Sequence, residues 1–389
     1  MTGRRAIVIA ARRTAIGKLG GLHRHRRVEM LAAPVIRAVL DDAGIAAEEV
    51  DEVVIGNAVG GGGNPARLIA LTAGLPDSVA AVTIDRQCAS GLDAIVIGAG
   101  MIAAGSADVV LAGGAESAST APWRIAKPAN LYADMPAFYS QPAFSPAERG
   151  DPGMVEAAET VARRYGISRE SQDRFALESH RRAVHAREAG LDAEIVPLGA
   201  GAEEKRDEGP RPSLSAELLA RMPPLIGADG TVTAGNSCQI NDGAAMAVLV
   251  SETLWRRLGS PPGLVFCGAA SAGIAPDIPS LAAISAAQKL CVKTGGAISD
   301  FAAIEFNEAF AAQVLAGIEA LEIDPARLNI SGGSLAYGHP YGASGAILVT
   351  RLFTRLSRQG KAGAADAGLA MIAAAGGVGV AAVFRAIWG

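Results

Sequence analysis

The sequence predicts an α/β protein whose central sheet is mostly parallel and covered by helices on both faces. Three observations lead there. Short apolar runs alternate with longer helical patterns over residues 1–117. Half of the 389 residues are hydrophobic and only 19% are charged, which suits a large buried core. The 47 glycines allow many close backbone approaches. A chain of this length makes two or three domains, or one large layered unit.

In order, Ala6–Ala10 reads as a buried strand followed by a turn, and Val28–Ala43 has helical periodicity. Glu52–Ile55 and Ala81–Ile84 are strand-like, Ala89–Ala104 is a helix of small residues, and Asp108–Ala112 is a further strand. Apolar strands separated by helices are the pattern of crossover units. The stretch "GGGGNPAR", Gly60–Arg67, lacks the GxGxxG and GxxxxGK[ST] spacings, so it reads as a close-packed turn entering a helix.

From about Ser117 to Gly243 the character changes. Prolines crowd Pro122–Pro152, charged amphipathic helices follow near Val155–Tyr165 and Arg169–Ala189, and then comes the polar "GAEEKRDEGPRP". This reads as an insertion lying over the core, the usual place for a substrate-shaping lid. Alternation resumes at Ala244. Ala89-Ser90-Gly91 and Ala343-Ser344-Gly345 each open an apolar helix, and each is followed by a strand-like run ending in paired glycines, Gly113-Gly114 and Gly376-Gly377. The matched context predicts two related halves whose helix N-termini meet at a shared interface. Ala367–Phe384 is uncharged for 18 residues and could mimic a membrane span. Its glycines at 376, 377 and 379 predict two buried strands joined by a turn instead.

A net charge of -4 gives no reason to expect nucleic acid or an acidic membrane as partner. The basic run His23-Arg24-His25-Arg26-Arg27 reads as a solvated loop. Four cysteines, Cys88, Cys238, Cys267 and Cys291, show no CxxC and no metal-ligand grouping, which suits free thiols in a reducing, cytosolic protein. The arginine-bearing N-terminus already looks like a core strand and turn, so it reads as mature sequence.

Three places carry groups able to do chemistry. Cys88, in "RQCASGLDA", stands at the start of a helix, where the dipole and unpaired N–H groups favour a thiolate; a packed thiol is the equally weighted alternative. A thiol nucleophile needs a base and an oxyanion site. His339, in "GGSLAYGHPYGASGA", is the only histidine in a small, apolar, turn-rich context; His23, His25, His180 and His185 lie in charged stretches that read as exposed. Asn307, in "IEFNEAFAAQ", follows a strand where a helix is expected to begin. It suits an N-cap, or a group that orients a water or an oxyanion.

Taken together, "CASG", "GTVTAGNSCQINDGAA", "NEAFAAQ" and "GHPYGASGA" in this order resemble the thiolase superfamily, over nearly the whole chain. The resemblance implies duplicated αβαβα layered halves with an inserted loop domain: residues 1–117 with 244–264, then 118–243 as the loop (lid) domain, then 265–389. It also implies a coenzyme A thioester as substrate, with no cofactor or metal, and a homodimer or homotetramer. Cys88 matches the cysteine that becomes acylated, His339 the histidine that activates it, and Asn307 the asparagine that holds a catalytic water. The backbone N–H groups of Cys88 and Ala375 match an oxyanion hole. Met154, Arg211, Ser237 and Cys238 fall on substrate-binding segments, Arg211 near the one that holds the nucleotide.

The sequence also departs from the family. Ala373 occupies the place of a second cysteine that exchanges a proton with the nucleophilic carbon, and Ala375 that of a glycine. Cys238 stands where a serine that contacts pantetheine is usual, and Gly153 where several members have histidine. Losing a positioned acid/base costs a factor of roughly 10² to 10⁴. The expected activity is therefore acyl transfer through a Cys88 acyl-enzyme, with Claisen condensation and thiolysis impaired by Ala373. Decarboxylative condensation as in ketosynthases, or transfer to water, are alternatives, and an inactive binding protein is the non-enzyme reading. Phe138, Tyr139 and Phe144 are candidates for an acyl pocket.

Overall fold

Strands that are apolar along their whole length need cover on both faces, and the chain supplies it by winding two half-sheets around a shared pair of helices. The computed structural model describes residues 4–358 and 367–389. The chain opens with β1 (Ala6–Arg13), β2 (Gly17–Lys18), α1 (Val28–Ala43), β3 (Glu52–Gly56), α2 (Pro65–Ala73), β4 (Ala80–Ile84), α3 (Ser90–Ala104) and β5 (Val109–Glu116). There follow β6 (Arg124–Ala126), β7 (Ala137–Tyr139), α4 (Met154–Arg164), α5 (Arg169–Glu188) and α6 (Ala216–Ala220). None of these five joins the main sheet. Next come β8 (Asn241–Ser251), α7 (Glu252–Arg257), β9 (Gly263–Gly273), α8 (Ala282–Thr294), β10 (Ala303–Phe306) and α9 (Ala311–Leu321). The chain closes with α10 (Ser334–Tyr337), α11 (Tyr341–Leu352), β11 (Ala367–Ala374) and β12 (Val378–Ile387).

The main sheet runs β10-β11-β12-β9-β1-β8-β5-β3-β4, with β2 paired to β8. It is mixed rather than mostly parallel: β3/β4, β3/β5 and β10/β11 are parallel, and the other strand pairs are antiparallel. The reason is connectivity. The tight turn at Gly376 and Gly377, both near φ +80°, forces β12 back along β11, and β8 returns from the insertion to run antiparallel to β5.

The two halves repeat one topology. In the first, β4-β3-β5-β8-β1 lie side by side; in the second, β10-β11-β12-β9 do so, with Leu328 bridging parallel to β10 where β4 stands in the first. β1 and β9 join the halves edge to edge. β9 begins at Gly263, so the last two residues of the segment 244–264 already belong to the second half.

Alternation of side chains along the strands produces the layers. Ile7, Val53, Leu111 and Val248 face α1 and α2, through Leu31, Val35, Ile36 and Ile69. Val8, Val110 and Leu249 face inward, with Ile372 and Phe384 of the second half, onto Leu92 and Ile95 of α3 and Ile347 of α11. Leu369, Met371 and Ala381 face outward onto Ile284 and Leu290 of α8 and Val314 of α9. The order helix–sheet–helix–sheet–helix is the expected five-layered arrangement.

The ASG repeat is where the central helices meet. A side chain on Gly91 would lie 2.6 Å from the Gly342 carbonyl oxygen, and one on Gly345 would collide with the backbone of Leu92. The paired glycines are not equivalent, contrary to the sequence reading. Gly113-Gly114 lie inside β5, packed against Met246 and Gly342, whereas Gly376-Gly377 form a turn. The run Ala367–Phe384 is a buried hairpin. Among the described residues, the one helical window apolar and long enough to cross a membrane is Gln87–Ala104, which contains α3, the central core helix.

β1 runs past its apolar stretch to Arg13 because that guanidinium is neutralised. Its Nε donates to Glu194 at 2.6 Å and its Nη1 to Asp207 at 2.7 Å, with all three side chains buried. Arg351 of α11 lies 3.2 Å from Glu194, which also accepts from Thr354 at 2.8 Å. Burial pulls the Glu194 carboxyl up, but Arg351 and Arg13 together hold it below the ordinary range. Arg13→Met leaves two buried carboxylates short of a partner and should destabilise the fold by about 3–5 kcal/mol in urea unfolding; a change under 1 kcal/mol would show the cluster to be dispensable.

Candidate active site

Cys88 lies on a turn fixed from both sides. Ser90 Oγ accepts from the Arg86 N–H at 2.8 Å and donates to the Gln87 carbonyl at 2.6 Å, while Asp85 Oδ1 accepts from Gln87 N–H at 2.7 Å. Gln87 is held at φ +50°, a strained value for a residue with a side chain. The backbone N–H groups of Cys88 and Ala375 both lie beside the Cys88 thiol and favour its charged form.

His339 is set by its backbone: its N–H donates to Gln239 O at 3.2 Å and to Asn241 Oδ1 at 3.0 Å. The ring Nδ1 lies 2.6 Å from Ser344 Oγ. With Nδ1 carrying the proton toward Ser344, Nε2 is a bare acceptor, and it is buried with no partner among the described residues. The Tyr341 ring packs edge-to-face on the imidazole, centroids 5.2 Å apart.

Asn307 follows β10, but α9 begins only at Ala311 after Phe310, so the N-cap reading fails. Its N–H donates to Met371 O at 3.1 Å, and its Oδ1 accepts from Ser334 Oγ at 2.7 Å. That fixes the amide so that Nδ2 is the free end, and Nδ2 is buried and unpaired. Glu308 anchors the loop, accepting from Ser179 Oγ at 2.6 Å, Asn329 Nδ2 at 2.8 Å and Leu335 N–H at 3.2 Å.

The segment around Cys238 lies between these loops. Ser237 pairs with Phe310, Cys238 N–H donates to Ala309 O at 2.9 Å, and Ile240 pairs with His339. Ser237 Oγ is buried and unpaired. Met154 opens α4 and packs with Ala309 and Phe310. Ala373 sits on β11 two residues beyond Met371, on the face toward α8 and α9. Arg211 lies elsewhere: its N–H donates to His180 Nδ1 at 3.2 Å, beside a cavity of about 290 Å³ that Arg181 and His185 also line.

Several expectations need correction. His23 and His180 are buried, not exposed. His23 Nε2 donates to Ala15 O at 2.8 Å and its Nδ1 accepts from Arg26 at 2.9 Å, while Arg26 pairs with Glu204 at 2.6 Å, so the basic run clamps the insertion rather than floating in solvent. Phe138 and Tyr139 face solvent, and only Phe144 approaches the site, its carbonyl lying against Gly376.

Sequence reading missed Glu116 and Tyr341. Glu116 is buried at the end of β5 and accepts from Asn57 Nδ2 and from the N–H groups of Ala58, Val59 and Gly342, at 2.8–3.1 Å. It thus joins the first half to the start of α11. The signal was an acid closing an otherwise apolar strand. Tyr341 stood in a quoted motif, but nothing in the pattern said that its ring would reach His339.

Comparison with known proteins gives a consistent picture. The family model "Thiolase, N-terminal domain" matches residues 6–253, and "Thiolase, C-terminal domain" matches 263–386. A Staphylococcus aureus (strain MRSA252) protein named "Putative acetyl-CoA C-acetyltransferase VraB" is 41% identical over 382 residues, covering 97% of this chain and 98% of its own. The protein of that name from Staphylococcus epidermidis (strain ATCC 12228 / FDA PCI 1200) is 40% identical over 386 residues, covering 98% and 99%. The crystal structure of the Bacillus anthracis acetyl-CoA acetyltransferase superposes with a TM-score of 0.91 at 35% identity, over 99% of both chains.

The electrostatics set the resting state. Burial, with smaller contributions from the Glu116 and Asp85 charges, pushes the Cys88 thiol up to about 12, against the pull of its two N–H donors. Burial lowers His339 to about 4. Near neutral pH the pair is a thiol and a neutral imidazole. Lost hydration outweighs the dipole of a helix that starts only at Ser90. The unfolded chain releases the Cys88 proton near pH 8.5, whereas the folded chain keeps it to about pH 12, so stability falls as pH rises through that window. Iodoacetamide alkylation of Cys88 in substrate-free protein, followed by peptide mass mapping, should climb from about pH 8 to about pH 11 without levelling near neutrality. A plateau below pH 8 would mean a resting thiolate.

Proposed function

The chain belongs to the thiolase family, and from that premise we propose that it transfers acyl groups from coenzyme A thioesters through an acyl-enzyme on Cys88. The observation that carries this reading is that the Cys88 and Ala375 N–H groups both favour charge on the Cys88 sulfur, while His339 Nε2 and Asn307 Nδ2 are buried without a partner among the described residues, on loops tied together by the Ser237–Ile240 segment. Unpaired buried polar atoms are costly, so they suit a partner that arrives with substrate.

In the first half-reaction Cys88 Sγ attacks the thioester carbonyl while His339 Nε2 takes the thiol proton. A neutral imidazole is the form that can do this, and burial keeps it neutral. The carbonyl oxygen takes the negative charge against the two N–H groups, which need no reorganisation. Collapse breaks the bond to the coenzyme A sulfur, which recovers the proton from His339. Asn307 Nδ2, through a water shared with His339, is the donor set for the oxygen of a second thioester.

The second half-reaction depends on a proton at carbon. The Ala373 methyl supplies none, which favours a decarboxylative partner or transfer to water unless another group intervenes. The assembly we propose is a homodimer or homotetramer. β4 is an edge strand with Val82 exposed, and Trp123, Leu131, Tyr132, Met135 and Phe138 form an exposed apolar group around the β6–β7 hairpin.

Incubation with acetyl-CoA should give an acetyl adduct on intact protein by mass spectrometry, mapped to Cys88 and absent from Cys88→Ser. His339→Asn should slow adduct formation by roughly 10²- to 10⁴-fold. Absence of an adduct on wild type across several acyl lengths would favour a binding protein. Faster carbon–carbon bond formation from malonyl-CoA than from acetyl-CoA would identify the decarboxylative route.

A further inference from the structure

The chain lacks a thiol at Ala373 and carries one at Cys238, where the family resemblance calls for serine. We propose that Cys238 is the acid/base that exchanges the proton with the reacting carbon, so that the second thiol has moved from β11 to the segment between the Asn307 and His339 loops. The inference rests on the acyl-enzyme reading above and supplies the group that reading leaves open.

Three backbone ties place Cys238. Its own N–H is bound to Ala309, two residues beyond Asn307. Its neighbour Gln239 accepts from the N–H of His339, and Ile240 pairs with His339. On the preceding side, Ser237 pairs with Phe310. Cys238 is thus held between the carriers of the other two reactive groups. Burial first, then the Cys88 charge and more weakly Glu308, disfavour a Cys238 thiolate, so the sulfur rests as a thiol with a proton to give.

Other ionisable neighbours of Cys88 are already committed. Glu116 is fixed by four N–H donors. Asp85 is bound to the backbone and side chain of Gln87. His339 serves Cys88. Tyr341 is also near enough to Cys88 and Cys238 for their charges, after burial, to raise its phenol. Burial raises the Tyr341 phenol and the Cys238 thiol alike, so Tyr341→Phe is the control that separates them.

The balance for cleavage of a 3-ketoacyl thioester is as follows. Cys88 Sγ bonds to the keto carbon as His339 takes its proton, and the bond to the adjacent carbon breaks. That carbon keeps the electron pair and takes the proton from Cys238 Sγ–H, leaving as acetyl-CoA. The Cys238 thiolate then takes the proton of an incoming coenzyme A thiol, whose sulfur bonds to the acyl carbon. The bond to Cys88 breaks, and the Cys88 sulfur recovers the proton held by His339. Condensation is the same sequence reversed.

The test follows exchange of the acetyl-CoA methyl hydrogens with solvent deuterium by mass spectrometry, alongside the adduct assay. Wild type should exchange. Cys238→Ser, which keeps a hydroxyl for the pantetheine contact, should lose exchange by roughly 10²-fold or more and still show an acetyl adduct on Cys88. Exchange at the wild-type rate in C238S, or no exchange in wild type, overturns the proposal; so does loss confined to Tyr341→Phe. Exchange that depends on Cys238 without any Cys88 adduct would instead sink the acyl-enzyme reading alone.

Discussion

Everything in this molecule depends on two helices touching through backbone rather than through side chains. At Gly91 and Gly345 the central helices α3 and α11 approach so closely that a single added methyl would have to displace main chain. Interiors pack at crystal-like density, so such a contact fixes the relative position of the elements that make it. Cys88 stands at the start of one helix and Tyr341 at the start of the other, and neither half alone could hold both. Glu116 repeats the tie in polar form, reaching from the end of β5 to the first turn of α11. The site is therefore a product of duplication: each half contributes a helix start, and the reactive groups collect where the two meet.

Burial explains the character of that site. A sulfur and an imidazole removed from water rest uncharged, whatever their separation, because neither charge has enough local support to offset lost hydration. Ionisation is postponed until a substrate oxygen can share the charge. Such an arrangement protects the sulfur from stray electrophiles and couples proton movement to binding. It also makes the strain at Gln87 intelligible, since the turn must aim Sγ at the site while keeping its own N–H directed to the same place.

Much of the fold was legible because its signals are local. The helix read at Val28–Ala43 has those same ends in the structure, and Gly376 and Gly377 marked the final hairpin correctly. The mixed strand directions were less legible, since direction depends on how a long insertion returns, and no residue encodes that. The exposure of His23 and His180 was misjudged because charged neighbours in sequence turned out to be partners across space, as Arg26 is for Glu204. For the site, the glycine- and alanine-rich settings of Cys88 and His339 were readable. Tyr341 and Glu116 were not, because their significance lies in which half they touch, not in their neighbours along the chain. Ser334 and Ser344 were hidden for the same reason: each orients a reactive side chain that the sequence cannot pair with it.

The buried cluster of Arg13, Glu194, Asp207 and Arg351 draws on β1, the insertion and α11 at once. It bolts one end of the lid to the body, since pulling that end away would strand charges in a dry interior. The other end, around residues 137–153, touches the site through Phe144 and carries no such bolt among the described residues. A substitution in that margin therefore strands no charge of the buried cluster. Side chains of that margin can change in size without disturbing the frame that holds Cys88.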